Sequence, residues 1–200
     1  VAVVGLGTMG PGMAATLARG GCEVACFDVD QAKLARVPAE VEAAHAVLDR
    51  IGGKAAPARG ALRTAATLGE AVRDADFVIE NVPEQLALKQ RVFAELEKLA
   101  PAHAVLASDT SGIPIGKLQE AVRDKARVVG MHWSNPPHII PMIEVIAGPH
   151  TSEATVTRTR ELVRHLGLLP VLVRKDVPGF VENRVLYAIM RECLSLVEQG

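Results

Sequence analysis

His132 leaves the run Arg127-Val128-Val129-Gly130-Met131, and twelve residues later Glu144 lies within the apolar stretch Met142-Ile143-Glu144-Val145-Ile146-Ala147. A histidine on one strand and a carboxylate on the next form the smallest set that can take a proton from an alcohol. The carboxylate fixes the imidazole tautomer and holds its pKa near neutrality. Read alone, Glu144 equally fits a strand-end carboxylate in a surface salt bridge. His138 follows between Pro136-Pro137 and Ile139-Ile140 at a spacing that fits no motif, so it reads as a pocket-lining or surface residue. His45, His103, His150 and His165 lie in helix or loop contexts that call for no chemistry.

A second constellation opens the chain. Val1-Ala2-Val3-Val4 is apolar throughout, as a buried parallel strand requires, and Gly5-Leu6-Gly7-Thr8-Met9-Gly10 follows at once. A helix continues through residues 13–18, and a second strand at 22–27 ends on Asp28. Gly5 makes the tight turn, Gly7 lets a pyrophosphate approach the backbone, and Gly10 lets helix and strand pack closely. The helix N-terminus supplies N–H groups for phosphate. Asp28 would accept hydrogen bonds from the adenosine ribose hydroxyls and repel a 2′-phosphate, which favours NAD over NADP.

The remaining segments must position these groups. Residues 31–73 are rich in Ala, Arg and Glu and break at Pro38, at Gly52-Gly53 and at Pro57, which predicts a helix, a loop and a shorter helical piece. Strands are predicted at 76–82, 104–107, 127–131, 142–147 and 171–173, with helices at 85–99 and 152–166. Strands alternating with helices imply an α/β fold, a Rossmann-type doubly wound and mostly parallel sheet. Ligands bind such sheets beyond the carboxyl ends of the strands, where Asp28, Glu84, Ser111 and His132 are expected to converge. Arg158, Arg160 and Arg164 read as a solvated helix face.

Composition narrows the function. A net charge of −1 with 3% aromatic residues gives neither a pull toward nucleic acid or anionic membrane nor a base-stacking platform. No apolar run approaches the roughly 20 residues of a membrane span. Cys22, Cys26 and Cys193 have no C-x-x-C spacing and no third ligand nearby, so they read as reduced interior thiols of a cytoplasmic protein, with no metal site.

These stretches together resemble the 3-hydroxyacyl-CoA dehydrogenase family, specifically its 3-hydroxybutyryl-CoA dehydrogenase-like members. The likeness runs through the glycine loop with Asp28, residues 77–89, Ser108-Asp109-Thr110-Ser111, residues 130–136 with Glu144, and Asp176-Val177-Pro178-Gly179-Phe180-Val181-Glu182-Asn183-Arg184. The resemblance implies His132 as general base, Glu144 as its orienting partner, and Ser111 and Asn183 as donors to the reacting oxygen. Toward NAD it implies Gly5, Gly7, Thr8, Met9, Gly10, Asp28, Asn81, Glu84, Lys89, Ser111 and Asn135. It further implies an NAD-binding domain over residues 1–178, with 179–200 beginning an all-helical C-terminal domain that makes a homodimer. A place in fatty acid metabolism follows from the same likeness. Without it, Ser111 fits an ordinary turn residue and Asn183 a helix-end hydrogen bonder.

The chain departs from that family at three places. Asp109 stands where Asn is usual, Trp133-Ser134 replaces a pair of aromatics, and the 31–73 arm is short. The arm carries Lys33, Arg36, Arg50, Lys54 and Arg59, yet no lysine matches a CoA-binding position. The substrate is therefore expected to be a small molecule, either an acyl-CoA thioester or a free hydroxy acid of the gulonate or carnitine type. A β-hydroxyacid dehydrogenase would need a catalytic lysine where Asn183-Arg184 stands. A non-catalytic, crystallin-like NAD-binding protein would have no use for the His132–Glu144 pair.

Overall fold

The computed structural model describes residues 1–52 and 55–200. Gly53 and Lys54, part of the expected break and of the arm's basic set, lie outside the described residues. In chain order the elements are β1 (Ala2–Val4), α1 (Gly10–Arg19), β2 (Val24–Phe27), α2 (Gln31–Ile51), β3 (Leu62–Thr64), α3 (Leu68–Val72), β4 (Phe77–Glu80), α4 (Leu86–Leu99), β5 (Val105–Ser108), α5 (Ile115–Gln119), β6 (Val128–Trp133), β7 (Met142–Ile146), α6 (Glu153–His165), β8 (Leu169–Val173) and α7 (Glu182–Glu198).

The strands form one sheet in the order β3-β2-β1-β4-β5-β6-β7-β8. Every neighbouring pair is parallel except β6 and β7, which run antiparallel. Winding reverses between β1 and β4, and a crevice for a ligand opens at such a switch. Alternate residues serve opposite faces: Val3, Cys26 and Ile79 pack under α1, α2 and α6, while Ala2, Val4 and Val78 pack over α3, α4 and α5. Both faces are covered, which is why the strands read as unbroken apolar runs.

The arm departs from the sequence reading in two ways. Pro38 does not interrupt α2, which runs from Asp30, whose carboxylate accepts from the Ala32 N–H, to Gly52 in the left-handed region at φ 72°. Leu34, Val37, Val41 and Ala44 form a buried stripe in the core that α1 also lines. Burial of a Val or Leu contributes roughly 1.5–3 kcal/mol each, which together exceeds the roughly 3 kcal/mol cost of an interior proline. Second, Leu62–Thr64 is an edge strand beside β2, too short and too exposed to show a period.

Two smaller expectations also change, those for Cys193 and Arg158. Cys193 is exposed rather than interior, while Cys26 is buried. Arg158 is not simply solvated, since its guanidinium lies 5.4 Å from the Phe77 ring centroid and donates to the His103 carbonyl. His45 is buried, with Nε2 3.0 Å from the Ala15 carbonyl, and has a packing role between α1 and α2. No helix among the described residues is long and apolar enough to cross a membrane.

Candidate active site

The glycine loop is held by contacts that admit no side chain. Gly5 adopts φ +99°, and a Cβ there would lie 2.4 Å from the Asn81 carbonyl oxygen. A Cβ on Gly10 would lie 2.5 Å from the Gly5 oxygen, so helix and turn touch directly. Gly7 differs, because a Cβ there would meet nothing within 4 Å. The loop therefore spends two glycines on its own shape and leaves the third facing open space. Asp28 follows β2 and ties this loop down: Oδ2 accepts the Leu6 N–H at 2.7 Å and Oδ1 accepts the Asp30 N–H at 2.9 Å. Lys33 approaches it to 3.5 Å.

Beyond β4, a buried ion pair fixes the next wall. Glu80 and Lys89 are both 0% exposed, and the Lys89 ammonium donates to Glu80 at 2.8 and 3.1 Å. Glu80 also accepts from the Ser108 hydroxyl at 2.6 Å and the Val82 N–H at 2.7 Å. Lys89 lies 3.5 Å from Glu84, whose other oxygen accepts from Thr110 Oγ1, the Ser111 N–H and the Gly112 N–H. Lys89 thus sits behind Glu84 and is not on the cleft wall, a change from the direct cofactor contact expected of it.

His132 and Glu144 are directly opposed residues of the antiparallel β6/β7 pair, which puts both side chains on one face. His132 Nδ1 lies 2.8 Å from Glu144 Oε2. Only hydrogen on Nδ1 satisfies a carboxylate there, which leaves Nε2 with the free lone pair. Glu144 is 0% exposed, and its Oε1 accepts the Val181 and Glu182 N–H groups, each at 2.9 Å, at the start of α7. Burial pushes the Glu144 carboxyl up, but the His132 hydrogen bond and these backbone donors outweigh it and hold the group below its ordinary value. Burial likewise pushes His132 down. The hydrogen bond that His132 donates to Glu144 and the charges of Asp109 (when ionised), Glu144 and Glu182 reverse that, and its net shift is upward. The Phe180 ring packs at 5.9 Å from the imidazole.

Around this pair opens a cleft of about 850 Å³. From the first half-sheet its wall takes Gly5, Gly7, Thr8, Met9 and Asp28, joined by Asn81 and Glu84. From the second it takes Ser111, His132, Asn135 and Asn183. Asn183 donates through Nδ2 to the Ser111 carbonyl at 2.9 Å, bridging the β5 loop to α7. Gly10 lies beneath the loop and Glu144 behind His132, so both act through their neighbours.

Two carboxyls of the site, Glu182 and Asp109, were given no role by the sequence alone. Ser134 donates to both carboxylate oxygens of Glu182, at 2.6 and 2.7 Å, and Glu182 Oε2 lies 3.8 Å from His132 Nδ1. The available signal was an acid beside Asn183 in the first turn of a helix. Asp109, noted only as a departure, accepts the Trp133 N–H at 2.8 Å, and burial pushes its carboxyl up to about 8. His132, Glu144 and Glu182 have ligand-type atoms within 4.8 Å of one another, and hydrogen bonds within the group account for their approach.

A family model described as 3-hydroxyacyl-CoA dehydrogenase, NAD binding domain, matches residues 1–177. The chain belongs to that family. It is 55% identical over 202 residues to a 5-formyl-3-hydroxy-2-methylpyridine 4-carboxylate 5-dehydrogenase of Mesorhizobium japonicum, covering 100% of this chain and 65% of that protein. It is 36% identical over 200 residues to an L-carnitine dehydrogenase of the same organism, covering 100% of this chain and 55% of the relative. A crystal structure of an FHMPC 5-dehydrogenase, described as an NAD+-dependent dismutase, superposes with a TM-score of 0.94 at 55% identity, over 100% of this chain and 65% of that one. The chain thus spans 65% or less of these relatives' length. As an NAD-binding domain of the 3-hydroxyacyl-CoA dehydrogenase family, it has the cradle such a cofactor needs. Gly7 leaves open space just before α1, and Asp28 lines the same cleft.

Proposed function

We propose that the protein containing this chain interconverts an alcohol and a carbonyl on a small free carboxylic acid, with NAD as hydride carrier. The carrying observation is the buried His132–Glu144 pair opening into the cleft that the glycine loop also lines. Similarity to dehydrogenases named for a pyridine carboxylate and for carnitine supports a free acid over the acyl-CoA thioester implied by the family name. The arm supports it too, since among the described residues α2 brings one basic side chain, Lys33, to the cleft and no basic cluster.

In this reading Gly5, Gly7, Thr8, Met9, Asp28, Asn81, Glu84, Ser111 and Asn135 hold NAD, and Gly10 and Lys89 shape the walls behind them. Bound NAD supplies the hydride acceptor. His132 Nε2 takes the hydroxyl proton while Nδ1–H stays on Glu144, so the imidazolium forms against a carboxylate already in place. Ser111 and Asn183 donate to the substrate oxygen as its bond order changes. Residues 1–178 form the nucleotide domain, and 179–200 begin a helical domain through which the cytoplasmic protein forms a homodimer. The exposed Val185, Ile189 and Met190 of α7 support that pairing.

The test is NADH oxidation by the natural full-length protein with free acetoacetate and an aromatic formyl carboxylate, each against acetoacetyl-CoA. Turnover of a free acid, reduced about 10²–10⁴-fold in His132→Ala, is the expected result. Turnover of the thioester alone would return the protein to 3-hydroxyacyl-CoA chemistry.

A further inference from the structure

Asp109 is a buried carboxyl on the cleft wall that the proposed chemistry leaves without a task. It closes β5, its own N–H donating to the Glu80 carbonyl, and its side chain is 9% exposed on the cleft wall near His132. Oδ1 accepts the Trp133 N–H, and Oδ2 meets no donor among the described residues. A buried carboxylate normally collects two or three donors or a cation.

Among the described residues, the basic groups facing Asp109 are already committed to other carboxylates. From β4 comes Glu80, from α4 comes Lys89, and from β6 comes His132. Lys89 is committed to Glu80 and approaches Glu84, and His132 is committed to Glu144, with Glu182 of α7 close by. Five carboxyls, those of Glu80, Glu84, Asp109, Glu144 and Glu182, therefore share two basic side chains. Burial, acting first, and the nearby Glu80 push the Asp109 carboxyl up to about 8, against the Trp133 N–H, His132 and Lys89.

We propose that Asp109 works as a neutral carboxylic acid, a specificity-determining donor whose O–H binds the substrate's carboxylate, so that the cleft accepts anionic substrates only while this proton is held. The proposal rests on the free-acid reading above. The protonated form gives a charge-assisted O–H···O⁻ bond, and ionisation replaces it with two opposed anions. The proton released on ionisation passes to solvent through the cleft.

Two measurements on the full-length protein test it. The first needs no substrate: the infrared difference between wild type and Asp109→Asn is expected to contain a protonated carboxyl band at pH 6 that fades as pH passes about 8. The second follows KM for the free acid against pH, with NADH binding as the check on folding. In wild type KM is expected to rise at least about tenfold from pH 6.5 to 9.5, as like-charge opposition requires. In Asp109→Asn, which keeps a neutral donor of the same shape, KM should stay level with pH. In Asp109→Ala it should be raised about tenfold already at pH 7, the loss of a hydrogen bond to a charged group. A methyl ester of the substrate should show no such rise. Absence of the band overturns the proposal whatever the substrate, as does a pH-dependent KM that persists in Asp109→Asn. A band present with no free acid turned over would instead strike the substrate reading and the carboxylate contact that depends on it.

Discussion

Lys89→Met isolates what the buried pair contributes. Both partners are 0% exposed, so the substitution leaves the Glu80 carboxylate in the core with only the Ser108 hydroxyl and the Val82 N–H as donors. Breaking a buried pair from one side costs about 3–5 kcal/mol, because the surviving charge has no compensation. With a urea slope of about 2 kcal/mol/M, the unfolding midpoint should fall by about 1.5–2.5 M. Trp133, the single tryptophan, lies in the cleft wall and reports the transition by fluorescence. Glu80→Gln combined with Lys89→Met removes both charges and keeps an acceptor for Ser108 or Val82, so it should be more stable than Lys89→Met alone. A loss below about 1 kcal/mol in the single variant would refute the reasoning. A double variant no better than the single one would do the same, since the cost would then come from lost packing.

The remaining expectations concern the cleft. Gly7→Ala should fold with an unchanged urea midpoint and lose NADH affinity by fluorescence titration, because its Cβ meets only open space, whereas Gly10→Ala should lose stability as well, its Cβ lying 2.5 Å from the Gly5 oxygen. Alcohol oxidation needs neutral His132, whose pKa is raised, so the rate should climb with pH through a midpoint above 6.5 while carbonyl reduction falls through the same midpoint. Glu144→Gln removes the main raising influence and should move both limbs to lower pH, with turnover lower by about 10²–10⁴-fold; a pH profile that does not move would separate Glu144 from the proton step. Glu182→Gln should move the limbs in the same direction but less, since Glu182 is 3.8 Å from Nδ1 against 2.8 Å for Glu144.

Much of the architecture was legible because each residue's local preference agreed with its final place. Val3, Ile79 and Val129 sit in apolar runs that only a sheet covered on both faces can bury, and the Gly5-to-Gly10 spacing belongs to a strand–turn–helix unit. Pro38 misled because an intrinsic helix breaker was outweighed by a buried stripe whose partner is another helix. Leu62–Thr64 escaped because an edge strand of three residues draws its order from its neighbour rather than from its own pattern. Within the site, residue types that announce chemistry were visible and their supports were not. Ser134 meets Glu182 across 48 positions, and Asp109 meets the Trp133 N–H across 24, contacts that exist only once strands and α7 are assembled. Lys89 shows the same limit from the other side: its place in a motif was legible, but the direction of its ammonium, inward to Glu80, was not.

The antiparallel turn of β7 makes the cleft modular. Because His132 and Glu144 are matched by ladder register, the alignment of the two side chains is set by the strands and not by the segment 134–141 between them. That segment carries Ser134 and Asn135 into the cleft and His138 onto a neighbouring cavity of about 600 Å³. Beyond Ser134, which holds Glu182 beside His132, and Asn135, the length and sequence of 136–141 can be exchanged to alter which molecule is admitted while the His132–Glu144 pair stays in alignment, so selectivity and reactivity can be engineered, or can evolve, on separate stretches of chain.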